Sequence, residues 1–155
     1  MGDLERVKKS LELAGEEVLP TSSLSSIPSK FYESFILHGL KVDAVEPCRL
    51  LCSLKVPPRL LNTGNFLHGG ATASLVDLVG SAAFYTAGAK TAGSPLEIGI
   101  AYLDAAFAEE DIEIEAKVLR AGKAVGVATV ELRKKKDGKI IAQARYTKYL
   151  ASSKL

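Results

Sequence analysis

Residues 70–87 read GATASLVDLVGSAAFYTA, eighteen consecutive positions of mostly small or apolar character with a single charged side chain, Asp77. A helix that is apolar nearly all round either crosses a membrane or is buried by the rest of its fold. Gly, Ala, Ser and Thr dominate this run and it barely reaches spanning length, so the buried reading holds and no membrane span is expected. Asp is a poor helix former, and a buried carboxylate without a partner is costly. One helical turn away on either side Asp77 has only Ala73, Ser74, Gly80 and Ser81, none of them a cation. Such a carboxylate either lies at a solvated, hydrogen-bonded edge or is placed there for chemistry.

The residues leading into the helix favour chemistry. Asn62 and His68 lie on the preceding loop and Gly69-Gly70 opens the helix, so free backbone N–H groups and the positive end of the helix dipole face one pocket. That environment suits a developing oxyanion. Taken singly, Asn62 is an ordinary turn residue, His68 an ordinary core histidine and the glycines turn formers; together with Asp77 they make a site.

Outward from the helix the period changes to two. Leu50, Cys52, Leu54 and Val56 alternate with Arg49, Leu51, Ser53 and Lys55 until Pro57-Pro58 stops the strand. After the helix, alternating runs recur near Leu96–Leu103, Asp111–Arg120, Ala124–Lys134 and Lys139–Leu150, separated by turns at Ala121-Gly122 and Asp137-Gly138. Ahead of the sheet, Leu4, Val7, Leu11 and Ala14 form a helical stripe that a Ser/Pro-rich stretch interrupts before a short apolar segment around Phe31 and Phe35. The order is arm, two strands, one helix, four strands, which predicts an α+β fold with a mostly antiparallel sheet and one central helix. The expected organisation is a helical arm over 1–34, one domain over 35–150 and a short tail over 151–155.

Composition narrows the function. The 155 residues, 47% hydrophobic and 25% charged, suffice for a single buried core. Twenty Lys+Arg against 18 Asp+Glu leave a formal charge of +2, too little field to collect nucleic acid. Cys48 and Cys52, read as one strand, would stand roughly 13 Å apart, beyond disulfide reach, and are expected as reduced core residues. The amino-terminal MGDLERVKKSLELAG is charged and has no apolar signal-peptide core. At the other end Ser153-Lys154-Leu155 is the tripeptide read by the peroxisomal import receptor, so the expected location is the peroxisome, with the cytosol as the alternative. His38 has no motif around it and is expected to be structural.

The run NTGNFLHGGATASLVD resembles the small hotdog-fold thioesterases, the branch that contains phenylacetyl-CoA thioesterase and acyl-CoA thioesterase 13, through Asn62, Gly64, His68, Gly69, Gly70 and Asp77. The resemblance extends over about Phe35 to Leu150, including IAYLDAAF, LRAGKAVGVATVEL and IAQARYTKYL. It implies a curved antiparallel sheet wrapped around one long helix, two copies joined edge to edge as a homodimer, and often a dimer of dimers. It further implies hydrolysis of acyl-CoA at the dimer interface, with Asn62, His68 and Gly69 from one subunit and Asp77 from the other. In that arrangement Asp77 is base or nucleophile, the Gly69 N–H binds the oxyanion, His68 places the thioester and Asn62 orients water. No cofactor or metal is needed, since coenzyme A belongs to the substrate.

Two features depart from a simple transfer. Related enzymes often carry Ser or Thr on the next strand to support the water, but the equivalent position here is Pro95; neighbouring Ser94 is the candidate to substitute through a shifted strand start, although its side chain would naturally point to the other face. For the CoA phosphates the resemblance suggests Arg120, Lys123 and Lys148, with Lys134–Lys136 as looser candidates and Gly70 lining the approach. Three other activities compete: an aryl-CoA thioesterase of the 1,4-dihydroxy-2-naphthoyl-CoA type, whose relatives usually place Glu on the helix; a hotdog dehydratase, which the HGG context argues against; and a non-catalytic acyl-CoA-binding protein.

Overall fold

The structure, a computed structural model, describes residues 3–16 and 24–151; the Ser153-Lys154-Leu155 tripeptide lies outside them. The chain divides into two compact units, Met1–Glu33 and Ser34–Leu155. The first contains α1 (Asp3–Glu16). A short helix, α2 (Tyr32–Leu37), runs into the second, where it buries Ile36. Arg59 then donates from its guanidinium to the Phe35 and His38 carbonyls at 2.6 and 2.5 Å, satisfying acceptors that α2 leaves unpaired.

The second unit holds six strands and the long helix. In chain order these are β1 (Lys41–Glu46), β2 (Arg49–Lys55), a 3-10 turn at Pro58–Leu60, α3 (Gly69–Thr86), β3 (Ser94–Tyr102), β4 (Asp111–Ala121), β5 (Val125–Lys134) and β6 (Ile140–Tyr149). All pairings are antiparallel and the spatial order is β1-β2-β4-β5-β6-β3. This is the hotdog arrangement expected from the sequence: a curved antiparallel sheet around one helix.

The alternating patterns explain why the sheet grips the helix. Leu50, Ala116, Val130 and Ala144 stand side by side across β2, β4, β5 and β6, and Cys52, Ile114, Leu132 and Ala142 form the next row. All eight are buried, and the alanines keep the surface low where α3 lies on it. From α3, Ala71, Thr72, Leu75, Val76, Val79, Gly80, Ala83 and Phe84 face this surface, each large apolar side chain contributing about 1.5–3 kcal/mol by burial.

Two expectations need correction. The helix is not buried all round: Ala73, Ser74, Asp77, Leu78 and Ser81 are half-buried, and Ala82 and Tyr85 are exposed. One curved sheet can cover only one side of a cylinder, and the sequence makes the other side equally free of charge apart from Asp77. Nor is Cys48 a core residue. It occupies the β1–β2 turn, exposed and at φ +62°, while Cys52 is buried on β2. Alternation continued one step too far, because a two-residue turn can be occupied by an apolar side chain without disturbing the pattern around it. Both cysteines are free thiols, and burial pushes the Cys52 thiol up to about 11, with a smaller push from the Asp43 charge.

Candidate active site

The loop before α3 is organised by Asn62. Its side-chain oxygen accepts from the N–H groups of Gly64 and Phe66 at 2.9 and 3.2 Å, an Asx-type turn. A Cβ at Gly64 would stand 2.7 Å from the exposed Phe66 ring and 3.3 Å from Asn62 Oδ1, so a side chain there would displace the ring that lies over the turn. His68 is the N-cap of α3: its Nδ1 accepts from the Gly70 N–H at 2.8 Å, which places the proton of the neutral imidazole on Nε2. The ring is exposed. From the far end of β3 the Tyr102 hydroxyl donates to the Gly69 carbonyl at 2.8 Å. Tyr102 thus holds the Gly69–Gly70 peptide by its carbonyl, while the Gly69 N–H, which belongs to the His68–Gly69 peptide, lies in the first turn, where no intrahelical acceptor exists.

Asp77 lies two turns further on, roughly 12 Å along the helix axis from Gly69. The sequence offers it no cation on its own helix, but the sheet brings one near. Tyr146 and Lys148 alternate onto the inner face of β6 and are both buried. The Tyr146 hydroxyl donates a short hydrogen bond to Asp77 Oδ1, Ser81 Oγ donates to the same oxygen at 3.3 Å, and Lys148 Nζ donates to Ser81 Oγ at 2.7 Å. Lys148 Nζ also lies 5.6 Å from the centre of the Tyr146 ring. Burial, reinforced by the hydrogen bond to Asp77, pushes the Tyr146 phenol far up, so it stays a protonated donor. Burial lowers Lys148, with the Asp77 charge pulling the other way.

Ser94, at the start of β3, is exposed and paired in register with Tyr149, whereas Pro95 stands opposite Lys148. Directly opposed residues share a face, so Pro95 lies on the Lys148 side and Ser94 on the other, as strand geometry predicts. At the other end of the helix a cavity of about 360 Å³ is lined by Gly88, Lys90, Gly122, Lys123 and Leu150 among others. A second, of about 380 Å³, opens beside the helix start between Phe66, Gly69, Thr72, Tyr102 and Asp104.

Comparison with known proteins resolves what this constellation belongs to. Residues 64–141 match the thioesterase superfamily. Mouse and human acyl-coenzyme A thioesterase 13 are each 35% identical over 117 residues, covering 76% of this chain and 84% of theirs. The chain belongs to the thioesterase superfamily. The solved structure of zebra fish thioesterase superfamily member 2 superposes with a TM-score of 0.74 at 36% identity, covering 83% of this chain and 91% of the other. That of mouse thioesterase superfamily member 2 gives 0.73 at 28%, covering 97% and 100%. The protein is a thioester hydrolase.

Within this thioesterase the expected phosphate-binding cations separate. Arg120 and Lys123 remain at the surface beside the β4–β5 turn. Lys148 is buried against Ser81 instead of facing a groove. Lys134 is buried too, with Glu110 at 3.3 Å and Asp104 at 3.8 Å, and Lys136 pairs with Glu110 at 3.7 Å. Sequence reading missed Tyr146 and Tyr102. The Tyr146-x-Lys148 alternation was visible as an inward face of β6, but which helix residue it would meet depends on how the sheet closes. Among the described residues no cluster of three or more His, Cys, Asp or Glu could hold a metal, and no helix is long and apolar enough to cross a membrane.

Proposed function

We propose that this thioesterase hydrolyses acyl-coenzyme A to a free acid and coenzyme A, with Asp77 as general base or nucleophile and the Gly69 N–H as oxyanion donor. The observation that carries the reading is the half-buried Asp77 carboxylate, held by hydroxyls on a helix whose amino-terminal amides stand two turns away. Hydrolysis requires an activated water or an attacking carboxylate on one side of the thioester and donors for the oxygen on the other. Asp77 supplies the first, the helix start the second, and His68 and Asn62 border the latter.

The separation of about 12 Å is too long for both groups of one helix to meet at one carbonyl carbon. A second copy solves this. β3 is an outer strand of the sheet, with Leu96 and Tyr102 more than half exposed, and the uncovered side of α3 is uncharged apart from Asp77. Joining two β3 edges would bring Asp77 of one copy toward Gly69 of the other while covering both features. The acyl-CoA assignment takes support from the acyl-coenzyme A thioesterase 13 relatives. Release of free thiol from a panel of short, long and aromatic acyl-CoAs tests it: turnover of at least one class is expected, and binding without thiol release from any would make the protein a carrier. Ser153-Lys154-Leu155, if it ends the mature chain, would address the enzyme to peroxisomes; deleting it from an amino-terminal fluorescent fusion should leave the fusion in the cytosol, and unchanged import would discard the motif.

A further inference from the structure

The polar chain behind Asp77 has a direction. Lys148 has only donors, an ionised Asp77 only acceptors, so the hydroxyls between them are oriented toward the carboxylate. Lys148 donates to Ser81, Ser81 donates to Asp77, and Tyr146 donates to Asp77 beside it, the two hydroxyl oxygens 3.2 Å apart. Both hydrogen bonds fall on Oδ1. Gly80, one turn from Asp77, lets the Tyr146 ring reach this position: a Cβ there would stand 2.7 Å from Tyr146 Cδ1 and 3.3 Å from Val130 Cγ2. The ring is fully buried and tilted against Phe84, with centroids 6.3 Å apart, so its hydroxyl is delivered by a side chain with no freedom to swing away.

We propose that Tyr146, assisted by Ser81, is the positioning residue of the reaction: it holds Oδ1 and thereby commits Oδ2 of Asp77 to the water or the thioester carbon. This rests on the acyl-CoA thioesterase reading and deepens it. A carboxylate can rotate about its Cβ–Cγ bond, and fixing one oxygen sets the direction of the other without consuming it. Tyr146 is fully buried and its hydroxyl is engaged by Asp77 and Ser81, so it acts on the reaction through Asp77 and not by touching the substrate. Pro95, opposite Lys148 on the same face, has no side-chain donor that could share this task.

The test is Tyr146→Phe in the full chain, with Ser81→Ala as a second variant at a half-exposed helix position where Ala is a good helix former. Both should keep their fold and assembly. Tyr146→Phe should lower kcat about tenfold and Ser81→Ala severalfold, with KM within about twofold in each, as expected when orientation rather than binding is lost. In an Asp77→Asn background, followed by single turnover with enzyme in excess, Tyr146→Phe should cost less than about twofold more, because a residue acting through Asp77 has nothing left to orient. A folded Tyr146→Phe enzyme with kcat within twofold of wild type, a loss that appears in KM, or an undiminished tenfold loss in the Asp77→Asn background would each overturn the proposal. If Tyr146→Phe does not fold, unchanged kcat in Ser81→Ala overturns it. A wild-type protein that releases no thiol refutes the underlying activity instead, so the two failures are distinct.

Discussion

Asp77 owes its meaning to what it lacks and what it receives. On its own helix it has no cation within a turn, yet Tyr146 and Ser81 hydrogen-bond one of its oxygens. Asp77→Asn keeps the shape and leaves an amide oxygen to accept those bonds, so the fold should survive. Turnover should drop by about a hundredfold or more, the loss expected when a base or nucleophile is removed. Thiol-release kinetics beside a thermal melt check this, and near-normal turnover by the folded variant would take Asp77 out of the mechanism. His68 and Asn62 show the other side of residue-scale reading. The sequence offers both as candidate site residues, and what the structure shows of them is local: His68 caps the helix and Asn62 ties its loop.

At the scale of elements, α3 meets the sheet through both large and small residues. Gly80 leaves no room for a Cβ against Tyr146, and Gly80→Ala sets a helix-propensity gain of about 1 kcal/mol against an overpacking cost of about 1–3 kcal/mol. Because the atom it meets belongs to the immobile Tyr146 ring, the cost should win. Calorimetry should report a lower melting temperature, and kcat should fall with it as the ring shifts; a more stable, fully active variant would show that the contact relaxes freely. On the outer face of the sheet, Glu115 of β4 accepts from Arg49 of β2 at 2.8 Å and from Arg133 of β5 at 3.2 Å. Burial pushes the Glu115 carboxyl up, but the two guanidinium groups outweigh it and the net direction is down. A folded value below the unfolded one makes this stabilisation complete above about pH 4.5 and lost as pH falls through the depressed value. Glu115→Gln should therefore be less stable by about 1–2 kcal/mol at neutral pH, with the gap closing in acid; denaturant titrations at pH 7 and pH 3 measure it, and a gap that persists at pH 3 would assign the loss to packing.

At the scale of the whole molecule, the proposed function makes one chain the carrier of two half-sites. If they join across β3, a chain with Asp77→Asn and a chain with Asn62→Asp should complement each other. The second change keeps the acceptor that ties the loop and replaces the amide donor with a negatively charged oxygen beside the oxyanion site. After subunit exchange about a quarter of wild-type activity should return, since about half of random pairs are mixed and each holds one intact site. No recovery despite exchange proven by mass spectrometry would place both groups in one subunit's site.

What the sequence determined by itself was whatever is periodic or contiguous. Alternation along β2, β4, β5 and β6 reports an inner face, because side chains on a strand must point to opposite sides. The eighteen-residue run with one charge reports a helix the sheet must cover, and NTGNFLHGG with Asp77 reports the site. Tertiary structure alone decided which residues meet across the fold. Tyr146 lies 69 positions from Asp77 and Lys148 lies 67 from Ser81, and their meeting depends on the order in which six strands pair and on where the helix settles across them. It also decided that Cys48 is a turn residue, that Lys148 points into the core, and that α3 keeps one bare side. Each follows from closing a curved sheet over one face of a cylinder, a geometric condition that no local pattern encodes.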